Sequence, residues 1–485
     1  MTRSEKNYAE PESAGLRYGY IAYVSLIAAL GGFLFGYDWV VIGGAKPFYE
    51  AYFNLTSSFQ IGWAMSNALV GCLVGAAISG YITDKLGRKK VLLIAGFLFT
   101  LSAVATAIAE TFSVFVLMRM AGGVAIGLAS TVSPMYIAEM APSSHRGKLV
   151  SINQLTIVLG VLAAQIANWA IADTIPEAAT RATILDSWNG QFGWRWMFAA
   201  EALPAIAFFL LAFRIPESPR WLIKQGRVEE ACRVLSQIGG GHYAEEQSTL
   251  IQETVSDDGG RVRLRELLSP KILPVLMIGI GLAVFQQWCG INVIFNYAEE
   301  VFTSAGYDIN QMLVNIIFTG IANLVFTFVA LRTVDRWGRK TLLLIGSGAL
   351  AVIYLLMAFF YYTQIIGWHM LVLVVAAISF YAMSLAPVTW VFISEIFPNR
   401  IRGAAMSVCV FSLWTASLVL TYTFPLLNEG LGEGPQGTAL TFGVYALICI
   451  VGFVLILRKL PETKGKSLEE LERELGTSFD AYHQE

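Results

Sequence analysis

The chain has 485 residues and a net charge of −2, and 56% of its residues are hydrophobic while only 14% are charged. Ordinary soluble domains carry about 25% charged residues, and long soluble chains divide into domains with polar surfaces, so a mean hydropathy of +0.60 excludes a water-soluble protein. The near-neutral charge, with no basic tail, leaves no electrostatic footprint for nucleic acid.

The first sixteen residues are polar and carry charges of both signs. They lack the basic start, short apolar run and cleavage site of a signal peptide. The first apolar run, 18–45, is therefore expected to stay as a membrane span. About 20 apolar residues cross the hydrocarbon layer, and stretches of that kind recur over 59–82, 90–109, 113–137, 149–173, 196–214, 272–300, 308–333, 341–363, 368–394, 403–427 and 438–458. Helices are expected throughout, because backbone groups facing lipid must be bonded within the segment. The sequence thus predicts an all-α membrane protein of twelve spans. Residues 1–17 form an N-terminal tail, and 461–485 a C-terminal tail in which Ser467 and Glu470 are spaced as a capping box. Residues 216–271 are polar and read as a linker with short amphipathic helices such as 227–238. The linker divides six spans (18–215) from six (272–460).

Loop charge alternates. One set holds Asp84, Lys85, Arg88, Lys89, Lys90, His145, Arg146, Lys148, Asp335, Arg336, Arg339, Lys340, Arg400 and Arg402. The other holds Glu50, Glu110, Glu177, Asp186, Glu299, Glu300, Asp308, Glu429 and Glu433, with few Lys or Arg. The positive-inside rule assigns the first set to the cytoplasm, and an even number of spans then puts both termini there. The five cysteines, Cys72, Cys232, Cys289, Cys409 and Cys449, show no CxxC spacing and read as apolar fillers. The four histidines offer no nucleophile–base spacing or metal cluster. No enzyme activity, metal or cofactor is expected.

The halves repeat one another. Asp84-Lys-Leu-Gly-Arg-Lys89 is matched by Asp335-Arg-Trp-Gly-Arg-Lys340, and Glu139-Met-Ala-Pro142 by Glu395-Ile-Phe-Pro398. Arg146-Gly147 is matched by Arg402-Gly403, and Pro216-Glu-Ser-Pro219 by Pro461-Glu-Thr-Lys464. Internal repeats of this kind build two similar bundles around a central site.

Several charged or polar features lie within the spans. Asp38, in Phe33-Leu-Phe-Gly-Tyr-Asp38, sits inside the first span. A charge at that depth costs at least ~2.5–3.5 kcal/mol on insertion scales, so it faces the interior and finds a partner or holds a proton. Arg119, in the apolar stretch 114–129 of span four, is the candidate partner. Burial raises an Asp pKa and a neighbouring Arg lowers it, so a pair whose separation changes can bind and release a proton. The competing reading is a structural ion pair. In span five, Gln154, Gln165 and Asn168 fall on one helical stripe, which lines a cavity or glues helices together. In span seven, Gln286, Gln287 and Asn292 flank Gly290, a candidate helix break. Their amides both donate and accept and so suit the hydroxyls of a neutral sugar. Asn315, Thr319, Asn323 and Thr327 make another polar face in span eight. Trp390, after the kinking Pro387, and Trp414 are candidates to stack on a sugar's C–H face.

Pro216-Glu-Ser-Pro-Arg-Trp-Leu222, Gln286-Gln287 with Gly290-Ile-Asn292, and Pro461-Glu-Thr-Lys-Gly465 resemble the signatures of the sugar porters. These are a branch of the major facilitator superfamily that includes proton–xylose symporters and glucose facilitators. The resemblance runs from about residue 18 to 475. It implies the major facilitator fold, two pseudo-symmetric six-helix bundles rocking about a central sugar site in alternating access. It assigns proton coupling to Asp38 and Arg119, and sugar contacts to Gln154, Gln286, Gln287, Asn292 and Asn323; Trp390 and Trp414 join the expected sugar contacts as the aromatic candidates. Gln165 and Asn168 have no such match. The charged motifs read as a cytoplasmic gate of ion pairs between helix ends, formed by Asp84, Arg88, Glu139, Arg146, Asp335, Arg339, Glu395 and Arg402, with Glu201 and Glu217 joining the network. A plain topology signal is the alternative. Val161, Ala386 and Leu413 depart from the family's pattern and leave the particular sugar open. The expected function is proton-coupled monosaccharide uptake by a monomer in the inner membrane of a bacterium, with a sugar, a proton and the bilayer as partners. Uncoupled diffusion and a non-transporting sensor are the alternatives.

Overall fold

The computed structural model describes residues 15–142, 145–176, 179–256, 264–365, 367–398, 401–432 and 434–464, the side chains of 254–256, 264, 265 and Asp335 excepted. Glu177, Arg400, Glu433 and the capping box expected at Ser467 lie outside the described residues. Among the described residues twelve helices are long and apolar enough to cross a membrane. Spans one to six are Tyr18–Tyr52, Ser58–Leu86, Arg88–Ala107, Phe112–Met140, Arg146–Ile171 and Asn189–Ala212. Spans seven to twelve are Leu273–Asn296, Ile309–Val334, Arg339–Thr363, Trp368–Ile396, Arg402–Leu431 and Pro435–Lys459.

Local signals set several ends. Ser57, Thr111 and Ser218 cap the helices that follow them. Asp308 and Gln311 close a reciprocal capping box at the start of span eight. Two boundaries differ from expectation. Span one runs on through Lys46 and Pro47 to Tyr52, because the lysine is neutralised within the protein. Span six starts earlier, at Asn189, in one π-helical turn whose Asn189 side chain binds the backbone of Asp173. The linker carries helices Pro219–Lys224, Val228–Ser256 and Leu264–Leu267, the second kinked at Gly240 and longer than the segment expected.

Span two packs on span four and span one on span five in the first half, as span nine packs on twelve in the second. Lipid offers no hydrophobic drive between helices, so small residues that admit close backbones carry this packing. A Cβ on Gly123 would stand 1.9 Å from the Ala68 carbonyl. The halves meet along a seam where span two faces span eleven, span five faces span eight, and span one faces the end of span seven. Span seven breaks at Gly290, with φ of 87°, splitting it into Leu273–Trp288 and Ile291–Asn296. The Tyr445 ring would lie 2.8 Å from a Cβ there, so the break requires glycine on both grounds.

Candidate functional site

Asp38 and Arg119 are brought together at mid-bundle, 1% and 2% exposed. The Arg119 guanidinium donates to Asp38 Oδ1, and again to the Asp38 carbonyl at 3.3 Å. The Phe198 ring lies 5.3 Å from the guanidinium on another side. Among the described residues Asp38 Oδ2 and Arg119 Nε have no hydrogen-bond partner. Glu201, expected in the gate, is instead buried against Asp38, because it stands in the middle of span six, away from the ends where the gate residues lie. One fixed cation thus meets two carboxylates in a buried setting. A narrow recess beside the pair is lined by Trp39, Ile42, Met65, Cys72 and Asn296 among others.

Asn296 lies one turn beyond Asn292, at the end of the amide cluster. Asn292 donates to Gln287 Oε1 at 2.5 Å, Gln287 to Gln286 Oε1 at 2.6 Å, and Gln286 to the Tyr381 hydroxyl at 2.8 Å. All three amides are buried and bonded mainly to one another. They form a chain whose donors and acceptors can be re-dealt to a polyhydroxylated ligand. Trp414 is buried, packs on Phe35 and Trp39 of span one with ring centroids 5.8 and 5.9 Å away, and its indole N–H finds no hydrogen-bond partner among the described residues.

The remaining polar candidates divide by partner. Gln154 is half-buried, with no hydrogen bond to its amide among the described residues. Asn323 is buried in span eight. Asn168 donates to the Val41 carbonyl at 3.0 Å and ties span five to span one. Gln165 crosses the seam to Thr319 at 3.3 Å and seats over Gly320. Trp390 is 37% exposed and stands outside the Trp39–Trp414 cluster.

At the basic end the repeats form two matching networks. Arg88 grips Glu139 through two donors at 2.9 Å, and Arg339 grips Glu395 at 3.2 and 2.8 Å. Such forked pairs are the strong, directional kind. Each lies within its own half. Glu217 accepts from the backbone N–H groups of Arg88 and Lys89 at 2.8 and 3.1 Å, a carboxylate on the first turn of span three. Glu462, which sequence reasoning quoted only within a motif, does the same for Arg339 and Lys340 at 2.9 and 3.1 Å. A Cβ on Gly87 or Gly338 would collide with these carboxylates. Asp84 stands 3.8 Å from Arg88, and its carbonyl accepts from the Trp221 indole. Arg146 and Arg402 donate to the carbonyls of Ala138 and Phe397 at the ends of spans four and ten. The Asp335 side chain lies outside the described residues.

A helical protein of twelve spans in two repeated halves, with a charged pair and an amide chain buried by their seam, is a membrane transporter of the major facilitator type. Residues 24–475 match the family described as sugar (and other) transporter, and the chain belongs to it. It is 37% identical to the D-xylose-proton symporter of Escherichia coli over 93% of this chain and 95% of that protein. It is 36% identical to the arabinose-proton symporter of Bacillus subtilis, over 94% and 95%. The fold matches the E. coli xylose transporter in a partially occluded inward-open conformation with a TM-score of 0.79 at 35% identity, covering 93% of this chain and 100% of that one.

Proposed function

We propose that the protein is a proton-coupled monosaccharide symporter working by alternating access. The observation that carries this reading is the buried Asp38–Arg119 pair with Glu201 facing it. Three ionisable groups share one desolvated site, so a change in their separation changes how well the site holds a proton. The recess beside the pair reaches Asn296, one turn from the amide chain of Gln286, Gln287 and Asn292. Proton and sugar sites are therefore neighbours on spans one and seven. Gln154, Asn323, Trp390 and Trp414 complete the sugar contacts. Residues 18–215 and 272–460 are the two moving bodies, joined by 216–271, and a single chain holds the whole pathway as a monomer in the bilayer. The basic end faces the cytoplasm of a bacterial cell, with both termini there. Purified protein in liposomes tests the reading. Addition of a panel of pentoses and hexoses should alkalinise the outer medium in step with entry of the best substrate. Entry with no accompanying proton uptake would leave facilitated diffusion.

The networks at the basic end serve as the inner gate. The fork between Arg88 and Glu139 is largely buried, and removing one partner of a buried pair costs ~3–5 kcal/mol because the other charge is stranded. Glu139→Gln or Glu395→Gln should therefore favour the inward-open form and slow turnover. Cytoplasm-side labelling of a cysteine engineered into the pathway should rise; unchanged labelling would reduce these residues to topology determinants. Val161 and Leu413, both buried and apolar, remove polar contacts from the walls of the site. Val161→Gln combined with Leu413→Gln should shift binding preference toward xylose or glucose, read by direct binding of several sugars to both proteins.

A further inference from the structure

The acidic end carries a charged cluster that the transport cycle above does not use. Lys46, 3% exposed, directs its ammonium at three carboxylates: Glu50 at 3.0 Å, Glu299 at 2.9 Å and Glu300 at 2.8 Å. Glu50 stands one turn along the same helix, whereas Glu299 and Glu300 belong to helix Ala298–Ser304 of the other half. The lysine is thus an ionic bridge across the seam, and each fork at the basic end lies within one half. Backbones meet closely just below it, where a Cβ on Gly43 would stand 2.6 Å from the Phe295 carbonyl. One side of the cluster is not satisfied: among the described residues Glu300 Oε2 is buried without a hydrogen-bond partner. Among the described residues the other titratable groups facing it are Tyr49 and Tyr297, the latter donating to the Thr421 carbonyl of span eleven. The Arg181 guanidinium binds the Glu50 carbonyl at 2.6 Å and not its carboxylate. Arg119 lies deeper, engaged with Asp38.

Opening the seam at this end separates the cluster into two parts. Lys46 and Glu50 remain together as a neutral pair on span one. Glu299 and Glu300 leave as adjacent carboxylates that water can hydrate. Closing reverses this and gathers three largely buried carboxylates on one ammonium, a net charge of two that a low-dielectric seam disfavours. A proton taken up on closing removes half of that excess and supplies a donor where Glu300 Oε2 has no partner. We propose that Lys46, Glu50, Glu299 and Glu300 are the latch of the outer gate, and that the latch binds a proton from the outside when the gate shuts. This proton-binding site is separate from the Asp38 pair. Its proton returns outside when the gate reopens, so it sets gate closure and leaves the number of protons carried per sugar unchanged. By linkage, a proton that binds the closed form better must favour that form. External acid therefore shuts the outer gate, the step that follows loading.

Hydrogen exchange on the full-length protein, corrected for the chemical effect of pH, tests this at the ends of spans one and seven, residues 41–52 and 291–304. In the wild type these segments should become more protected as pH falls through the neutral range. The Glu299→Gln, Glu300→Gln double variant has the charge of the latch reduced without loss of volume, and should lose that pH dependence. Lys46→Met strands the carboxylates and should raise exchange of the outer segments at every pH. The proton-to-sugar flux ratio in liposomes should be the same for the double variant and the wild type. Wild-type protection that ignores pH, or a double variant that keeps the wild-type dependence, would overturn the latch's proton site. A lowered flux ratio would overturn it as well, because the protons would then be cargo.

Discussion

Asp38→Asn abolishes uphill accumulation of sugar while exchange of labelled for unlabelled sugar continues. The argument starts from charge balance in the buried triad. With Asp38 present, Arg119 is neutralised by Asp38 or by Glu201, and the second carboxylate is free to hold or release a proton as the bundles move. With asparagine in its place, Glu201 is the one carboxylate facing Arg119 among the described residues, and it pairs with the guanidinium permanently. Arg119 is not stranded, so the fold survives a change that would otherwise cost ~3–5 kcal/mol. The proton, however, has lost its place. At ~100 mV a proton carries ~2.3 kcal/mol, which at one proton per sugar corresponds to roughly fifty-fold accumulation, since 1.4 kcal/mol is about tenfold. The variant should fall from that ratio to equality. Glu201→Gln should leave Asp38 paired and remove the alternative carboxylate, so it too should lose accumulation. Undiminished concentrative uptake by Asp38→Asn would sink the coupling mechanism.

What could be read from the sequence followed how local the information is. The spans were legible because hydropathy over about 20 residues is a property of the segment alone. The forks Arg88–Glu139 and Arg339–Glu395 could be expected because both partners of each recur in the two halves, so the repeat marks them as one structural unit. Glu217 and Glu462 share that symmetry, yet only Glu217 was singled out; aligning Pro216-Glu-Ser with Pro461-Glu-Thr position by position would have found its counterpart. The Asp38–Arg119 pair was legible by elimination, as few charges lie deep in the first-half spans. Glu201 was assigned to the wrong end, because a lone glutamate between apolar residues does not reveal which neighbouring helix it faces. Lys46 was missed for a related reason. A hydropathy scan treats a lysine as the end of a span, and its burial depends on Glu299 and Glu300 some 253 residues away. Trp39 and Tyr381 gave no signal either, since an aromatic residue among apolar ones looks like lipid-facing packing until the seam is assembled.

The second large effect concerns the amide chain. Gln287 is its central link: it accepts from Asn292 and donates to Gln286, which passes the chain to Tyr381. Among the described residues its side chain bonds only to other amides, whereas Asn168 and Trp288 bond to the backbone of neighbouring helices. On the proposed sugar site, truncating Gln287 therefore removes groups that would face the ligand and leaves the helix contacts in place. A sugar hydroxyl desolvated against the missing amide forfeits ~1–3 kcal/mol, so Gln287→Ala should weaken binding of the best sugar by roughly tenfold or more. Protein abundance in the membrane should hardly change. Asn168→Ala supplies the contrast, because it frees the Val41 carbonyl between spans one and five and should lower thermal stability more than it lowers affinity. The measurement is direct binding of several sugars to purified wild type and both variants, alongside their unfolding temperatures. Equal affinity in Gln287→Ala would move the sugar site away from the break in span seven. A fall in affinity confined to Asn168→Ala would move it to the wall formed by spans one and five.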